Sequence, residues 1–118
     1  MMTTLREVKD KIISDPENWR VYLMDFVDDF RYYKDVSALA EPFELTDMRL
    51  DAVLASTAEY LCDELGIEPP AWLLNVPACL EPYFVSGLEN LKAFAIVESP
   101  LRFRIRKIFV ADNFLSRV

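Results

Sequence analysis

A chain of 118 residues that is 53% hydrophobic has enough apolar side chains for one core and is too short for two. That composition excludes a disordered chain, because the apolar surface offsets the entropy of ordering. The formal charge of −7 is unevenly placed: residues 1–100 hold 8 basic and 19 acidic side chains, and residues 101–118 hold 5 and 1, which excludes a general nucleic-acid binder and leaves a local basic site.

The first residues, through Lys11, mix charges without an apolar stretch and do not read as a secretory signal. No run approaches the ~18 apolar residues of a membrane-spanning helix. The cytoplasm is therefore the expected compartment, and Cys62 and Cys79 are expected to be free core thiols.

Thr4 followed by Glu7 has capping-box spacing, and Leu5, Val8 and Ile12 share a face of the helix it opens, which should end near Ser14. Asp15-Pro16 reads as the next start, with Asp as N-cap and Pro at the first helical position. The second helix, over 16–35, is the clearest element. Trp19, Leu23, Phe26, Phe30 and Tyr33 recur at spacings of 4, 3, 4 and 3. Asp25, Asp28, Asp29 and Tyr32 lie on its other side. Val36 to Leu45 interrupts the pattern, with Pro42 blocking a simple continuation.

A third helix is expected from Thr46, stapled by Leu45 and Leu50, with Leu50, Val53, Leu54, Ala58, Leu61 and Leu65 as its buried face. Gly66 should end it as a left-handed cap. Between Ile67 and Val85, Pro69, Pro70, Pro77 and Pro82 permit only short turns, yet Trp72, Leu73, Leu80 and Tyr83 are too apolar for a solvated linker. This is an ordered crossing over the core. Ser86 with Glu89 opens a fourth helix through about Glu98, and Ser99-Pro100 starts the last unit. Residues 101–106 alternate as a strand would, but the Ser-Pro start favours helix, with Ile108 to Val110 extended and Asp112 or Asn113 opening a terminal turn.

Histidine is absent, which removes the commonest general base and metal ligand, and Gly66 and Gly87 alone cannot build a glycine-rich phosphate loop. No catalytic residue, cofactor or metal is assigned. Two carboxylate groups, Asp25/Asp28/Asp29 and Glu59/Asp63/Glu64, would form a magnesium or manganese site only if their faces packed together. The simpler reading puts both on solvated helix faces. The sharpest charge feature is Arg102, Arg104, Arg106 and Lys107, which either neutralises the acidic body or contacts a partner. Trp72 and Tyr83 join it as candidate partner-binding residues, because interfaces favour Trp and Tyr.

The segments Gly66-Ile67-Glu68-Pro69-Pro70-Ala71-Trp72, Val97-Glu98-Ser99-Pro100, Phe103 to Val110 and Leu115-Ser116-Arg117-Val118 carry a resemblance over residues 61–118. They resemble a group of small uncharacterised bacterial proteins, some of them similar to toxin–antitoxin or regulator-associated components. The resemblance implies a regulatory context and no catalytic residues. The chain itself carries no helix-turn-helix pattern.

The expectation is an all-α single domain over 1–118, a bundle of about four to five helices with a proline-rich crossing and one short extended segment near 103–110. Its expected role is a non-catalytic protein–protein interaction or regulatory accessory module, antitoxin-like, with a protein partner or self-association and no membrane. The alternatives are a nucleic-acid-binding protein using the basic cluster, and a carboxylate-metal enzyme.

Overall fold

Thr4 opens the first helix of the computed structural model, which describes residues 3–85, 99–110 and 114–115. Its hydroxyl accepts the Glu7 N–H at 3.2 Å, and α1 runs Leu5–Ser14 with Leu5, Val8 and Ile12 buried. Asp15 then differs from its expected role. Its carboxylate takes the Asn18 side-chain amide at 2.8 Å and the Tyr22 hydroxyl at 2.7 Å rather than a backbone N–H. A 3₁₀ turn at Pro16–Asn18 therefore precedes α2, Trp19–Tyr33. Leu23, Phe26, Val27 and Phe30 form its buried stripe, and Tyr33 lies outside it, exposed. Lys34 stops the helix in a left-handed conformation (φ 53°), its N–H on the Phe30 carbonyl at 2.8 Å.

A single 3₁₀ turn, Val36–Leu39, plugs Ala38 and Leu39 into the core before α3, Met48–Leu65. The cap of α3 is Asp47, not Thr46; its side chain accepts the Leu50 N–H at 3.2 Å. That shift removes the staple, and Leu45 is exposed. Gly66 ends the helix as expected, at φ 70°. A Cβ there would meet nothing within 4 Å, so the requirement is the backbone conformation and not space.

Helix α3 is the axis of the fold. Every residue from Asp51 to Glu59 is buried, as are Leu61 and Cys62. The run Ala55-Ser56-Thr57-Ala58 explains this, since small side chains let neighbours approach the helix from all sides. Helices α1 and α2 pack against it, and so does the short α4, Leu101–Arg104, whose Phe103 ring lies 6.1 Å from Tyr60.

The crossing is ordered, as expected. It contains a 3₁₀ turn at Ala71–Asn75 and ends in β1, Tyr83–Phe84, which pairs parallel with β2, Ile108–Phe109, in the register Tyr83 to Ile108 and Phe84 to Phe109. Ser99 clamps the far end: its hydroxyl donates to the Val110 carbonyl at 2.9 Å and accepts the Val110 N–H at 2.8 Å. Within residues 101–106 the helical alternative holds for Leu101–Arg104, and a turn then leads into extended chain. Lys107 (φ 61°) makes the reversal between them. The helix expected over 86–98 and the turn at 112–113 lie outside the described residues.

The result is a compact, mainly helical globule with one small two-stranded sheet. Its radius of gyration, 13.4 Å, is that of a close-packed chain of this length. No helix among the described residues is long and apolar enough to cross a membrane.

Candidate functional site

The basic segment is divided by its own geometry into an inner and an outer half. Along the turn from α4 to β2, Phe103, Arg106 and Ile108 point inward, and Leu101, Arg104, Ile105 and Lys107 are exposed. Arg106 sits among the core residues. Its Nη1 donates to Glu59 Oε1 on α3 and lies 3.5 Å from the Ser56 hydroxyl. Its Nε and Nη2 donate to the Val76 and Leu73 carbonyls of the crossing at 3.2 and 2.7 Å. One side chain thus ties α3, the crossing and the C-terminal unit together, so it presents nothing to a partner. Beside it, Arg102 makes a bidentate pair with Asp63, at 2.7 and 3.0 Å, and lies 3.6 Å from Glu59 Oε2. The hydrogen bonds it donates to Asp63 push its guanidinium pKa up, so it holds its charge.

Of the α3 carboxylates read as a solvated face, Asp63 and Glu64 are exposed and Glu59 is not. Glu59 is fully buried between two arginines, Asp63 faces Arg102, and Glu64 makes a bidentate pair with Arg31 of α2 at 2.9 Å. Each carboxylate meets a cation, and among the described residues no three acidic or thiol groups gather as metal ligands. The sequence signal for this was available: Glu59 follows directly on the small-residue run of a helix buried on every side.

Trp72 is half-buried. Its indole N–H donates to the Leu39 carbonyl at 2.7 Å, and its ring meets Phe43 edge-on at 5.2 Å. Tyr83 lines a cleft of about 240 Å³ with Ile12, Trp19, Leu50 and Val53, and the Arg49 guanidinium lies 4.9 Å above its ring. Arg49 carries no distinguishing sequence signal.

The outer half is different in kind. The Arg104 side chain makes no hydrogen bond or ion pair among the described residues, and there Lys107 Nζ reaches only the Leu80 carbonyl, at 3.4 Å. Leu101 and Ile105, one helical turn apart on α4, are each more than half exposed, as are Leu74 and Leu80 of the crossing. The two segments are stitched by the Cys79 N–H on the Arg106 carbonyl (3.0 Å) and the Tyr83 N–H on the Lys107 carbonyl (2.9 Å). Lys107 thus lies beside Leu80 on the crossing, while Leu101 and Ile105 stand on the short helix that precedes it.

Comparison with known proteins finds no matching family model, no matching curated protein and no matching solved structure.

Proposed function

We propose that this chain is a non-catalytic protein-interaction module, a regulatory accessory of the antitoxin-like kind, and that it works through the outer face of α4 and the crossing. The observation that carries the reading is the exposure of Leu74, Leu80, Leu101 and Ile105 around Arg104 and Lys107. Large apolar side chains left exposed among cations are the kind of surface that a contact with a partner covers. The inner arginines support it indirectly. They hold the seam rigid, which lowers the ordering cost of binding.

The test is affinity capture from the cell that makes the protein, comparing the parent with the variant Leu80→Ser, Ile105→Ser. Both positions are exposed, so the variant should melt like the parent and lose the captured protein. A partner retained in full by the variant would place the working surface elsewhere. Salt-sensitive binding of a labelled duplex, abolished by Arg104→Gln with Lys107→Gln, would instead favour a nucleic-acid ligand.

A further inference from the structure

The cleft beside Tyr83 has apolar walls and two charges of opposite sign. Ile12 of α1 and Val53 of α3 line it and are almost fully buried, while Trp19, Leu50 and Tyr83 are half-buried around them. Its volume of about 240 Å³ lies below the range of drug-sized sites, so it takes one ring or one branched side chain. Asp47 and Arg49, at the start of α3, complete the lining.

Neither charge is spent on the other, since no ion pair joins them. One Asp47 oxygen accepts the Leu50 N–H at 3.2 Å, and the second has no partner among the described residues. The Arg49 side chain makes no hydrogen bond or ion pair among the described residues, whereas Arg6, Arg31, Arg102 and Arg106 each pair with a carboxylate. Its guanidinium is instead held 4.9 Å from the centre of the Tyr83 ring. That contact attracts the cation without using its N–H donors, which stay available to an acceptor.

We propose that this cleft binds a free α-amino acid with a large apolar side chain. The carboxylate goes to Arg49, the ammonium to Asp47 and the side chain among Trp19, Leu50 and Val53. The head group decides the class. An uncharged apolar ligand would take water from two charged groups and give them nothing in return. A lone anion would meet the Asp47 carboxylate, and a lone cation the Arg49 guanidinium. A zwitterion with its two charges on neighbouring carbons satisfies both. A peptide fits less well, because its terminal carboxylate has no ammonium beside it. The residues of the interaction reading, Leu74, Leu80, Leu101 and Ile105 among them, do not line this cleft, so the inference is independent of that reading.

Equilibrium dialysis with labelled leucine, phenylalanine and tryptophan tests it. At least one should bind saturably, one per chain, and glycine, with no side chain for the apolar walls, should not. The N-acetyl derivative and the amide of the bound amino acid each lack one charge and should bind about tenfold more weakly or worse. These comparisons use the parent protein and depend on no variant folding. Arg49→Gln and Asp47→Asn should weaken binding by a similar factor. Both positions are exposed, and Asn still caps the helix, so both variants should melt near the parent. Absence of saturable binding by all three amino acids at millimolar concentration overturns the proposal. So does an N-acetyl derivative that binds as well as its parent or better, which would mark the ligand as an acylated or peptide carboxylate. Binding unchanged in Arg49→Gln overturns it equally.

Discussion

The guanidinium of Arg106 closes on the carboxylate of Glu59 in the interior of the fold, and both side chains have almost no exposed surface. The pair joins the turn after α4 to the middle of α3. Two crossing carbonyls, of Leu73 and Val76, occupy the remaining sides of the guanidinium. Taking two charges out of water is costly. Such a pair persists because attraction and hydrogen bonding offset that cost together, and removing one partner strands the other.

Arg106→Gln or Glu59→Gln should therefore destabilise the protein by about 3–5 kcal/mol, the usual penalty for orphaning a buried charge. Arg104→Gln, two residues away and exposed, should stay within about 0.5 kcal/mol of the parent. Chemical denaturation of the three variants separates them. Equal losses at Arg104 and Arg106 would contradict the division into an inner and an outer half.

The core makes a parallel contrast on α2. Phe26 is fully buried and stacks on Phe30 at 5.9 Å, and Leu61 is fully buried on α3. Phe26→Ala and Leu61→Ala should each cost about 2–5 kcal/mol through lost contact and residual cavity. Tyr33→Ala, at the end of the same apolar repeat but exposed, should cost far less. Thermal melts of the three variants check the order, and a Tyr33→Ala loss matching Phe26→Ala would place Tyr33 in the core after all.

These contrasts mark where sequence patterns carry structural information and where they stop. The start at Thr4 and the stop at Gly66 are legible because these caps act within one turn of themselves. The Phe26 and Phe30 stripe was readable for the same reason. Asp15 and Thr46 fail as caps because neighbouring residues, Asn18 with Tyr22 and Asp47, compete for those roles. Tyr33 was misplaced because periodicity does not report where a helix outlasts its neighbours. Glu59 reads as solvated because its partner lies 47 residues away, whereas Arg106, read as either neutralising the acidic body or contacting a partner, takes the first of those roles by pairing with Glu59. The alternation of residues 101–106 left strand and helix both open and the Ser-Pro start pointed to the helix, while the inward positions, Phe103, Arg106 and Ile108, are spaced by three and then two and follow neither period throughout.

The buried thiol of Cys62 gives the stability a dependence on alkaline pH. Burial, with the neighbouring Asp63 and Glu59 charges adding to it, pushes this thiol up from 9.0 to about 11. As pH rises past the ordinary value, the unfolded chain loses the proton first, so the folded state binds more protons across that window. Stability therefore falls as pH rises from about 9 toward 11, and below the ordinary value this thiol contributes no slope. The melting temperature of the parent should drop more steeply through that range than that of Cys62→Ala, in which other alkaline titrations are unchanged. Parallel curves would show that Cys62 ionises as freely in the folded protein as in the unfolded one.

A second buried pair tests whether α1 is held by charge as well as by Leu5 and Val8. Lys9 Nζ lies 2.6 Å from Asp51 Oδ1, both residues being almost wholly buried, and Lys9 also donates to the Glu44 carbonyl. The other Asp51 oxygen accepts the N–H groups of Thr46 and Asp47 at 3.0 and 3.2 Å. Lys9 thus anchors α1 to the segment that enters α3, and the Phe43 ring packs 4.7 Å from its ammonium. Lys9→Met should cost about 3–5 kcal/mol, because the Asp51 carboxylate is left charged and buried without its cation. Asp51→Asn should cost a similar amount by stranding the ammonium, although the amide oxygen still accepts from the backbone. The double variant leaves no uncompensated charge, so its loss should be well below the sum of the two single losses, a coupling that a double-mutant cycle in denaturant measures directly. High salt should change this coupling little, since a pair sealed from solvent is weakly screened. Simple additivity of the two losses would mean that Lys9 and Asp51 act independently, and that α1 is held to α3 by apolar packing alone.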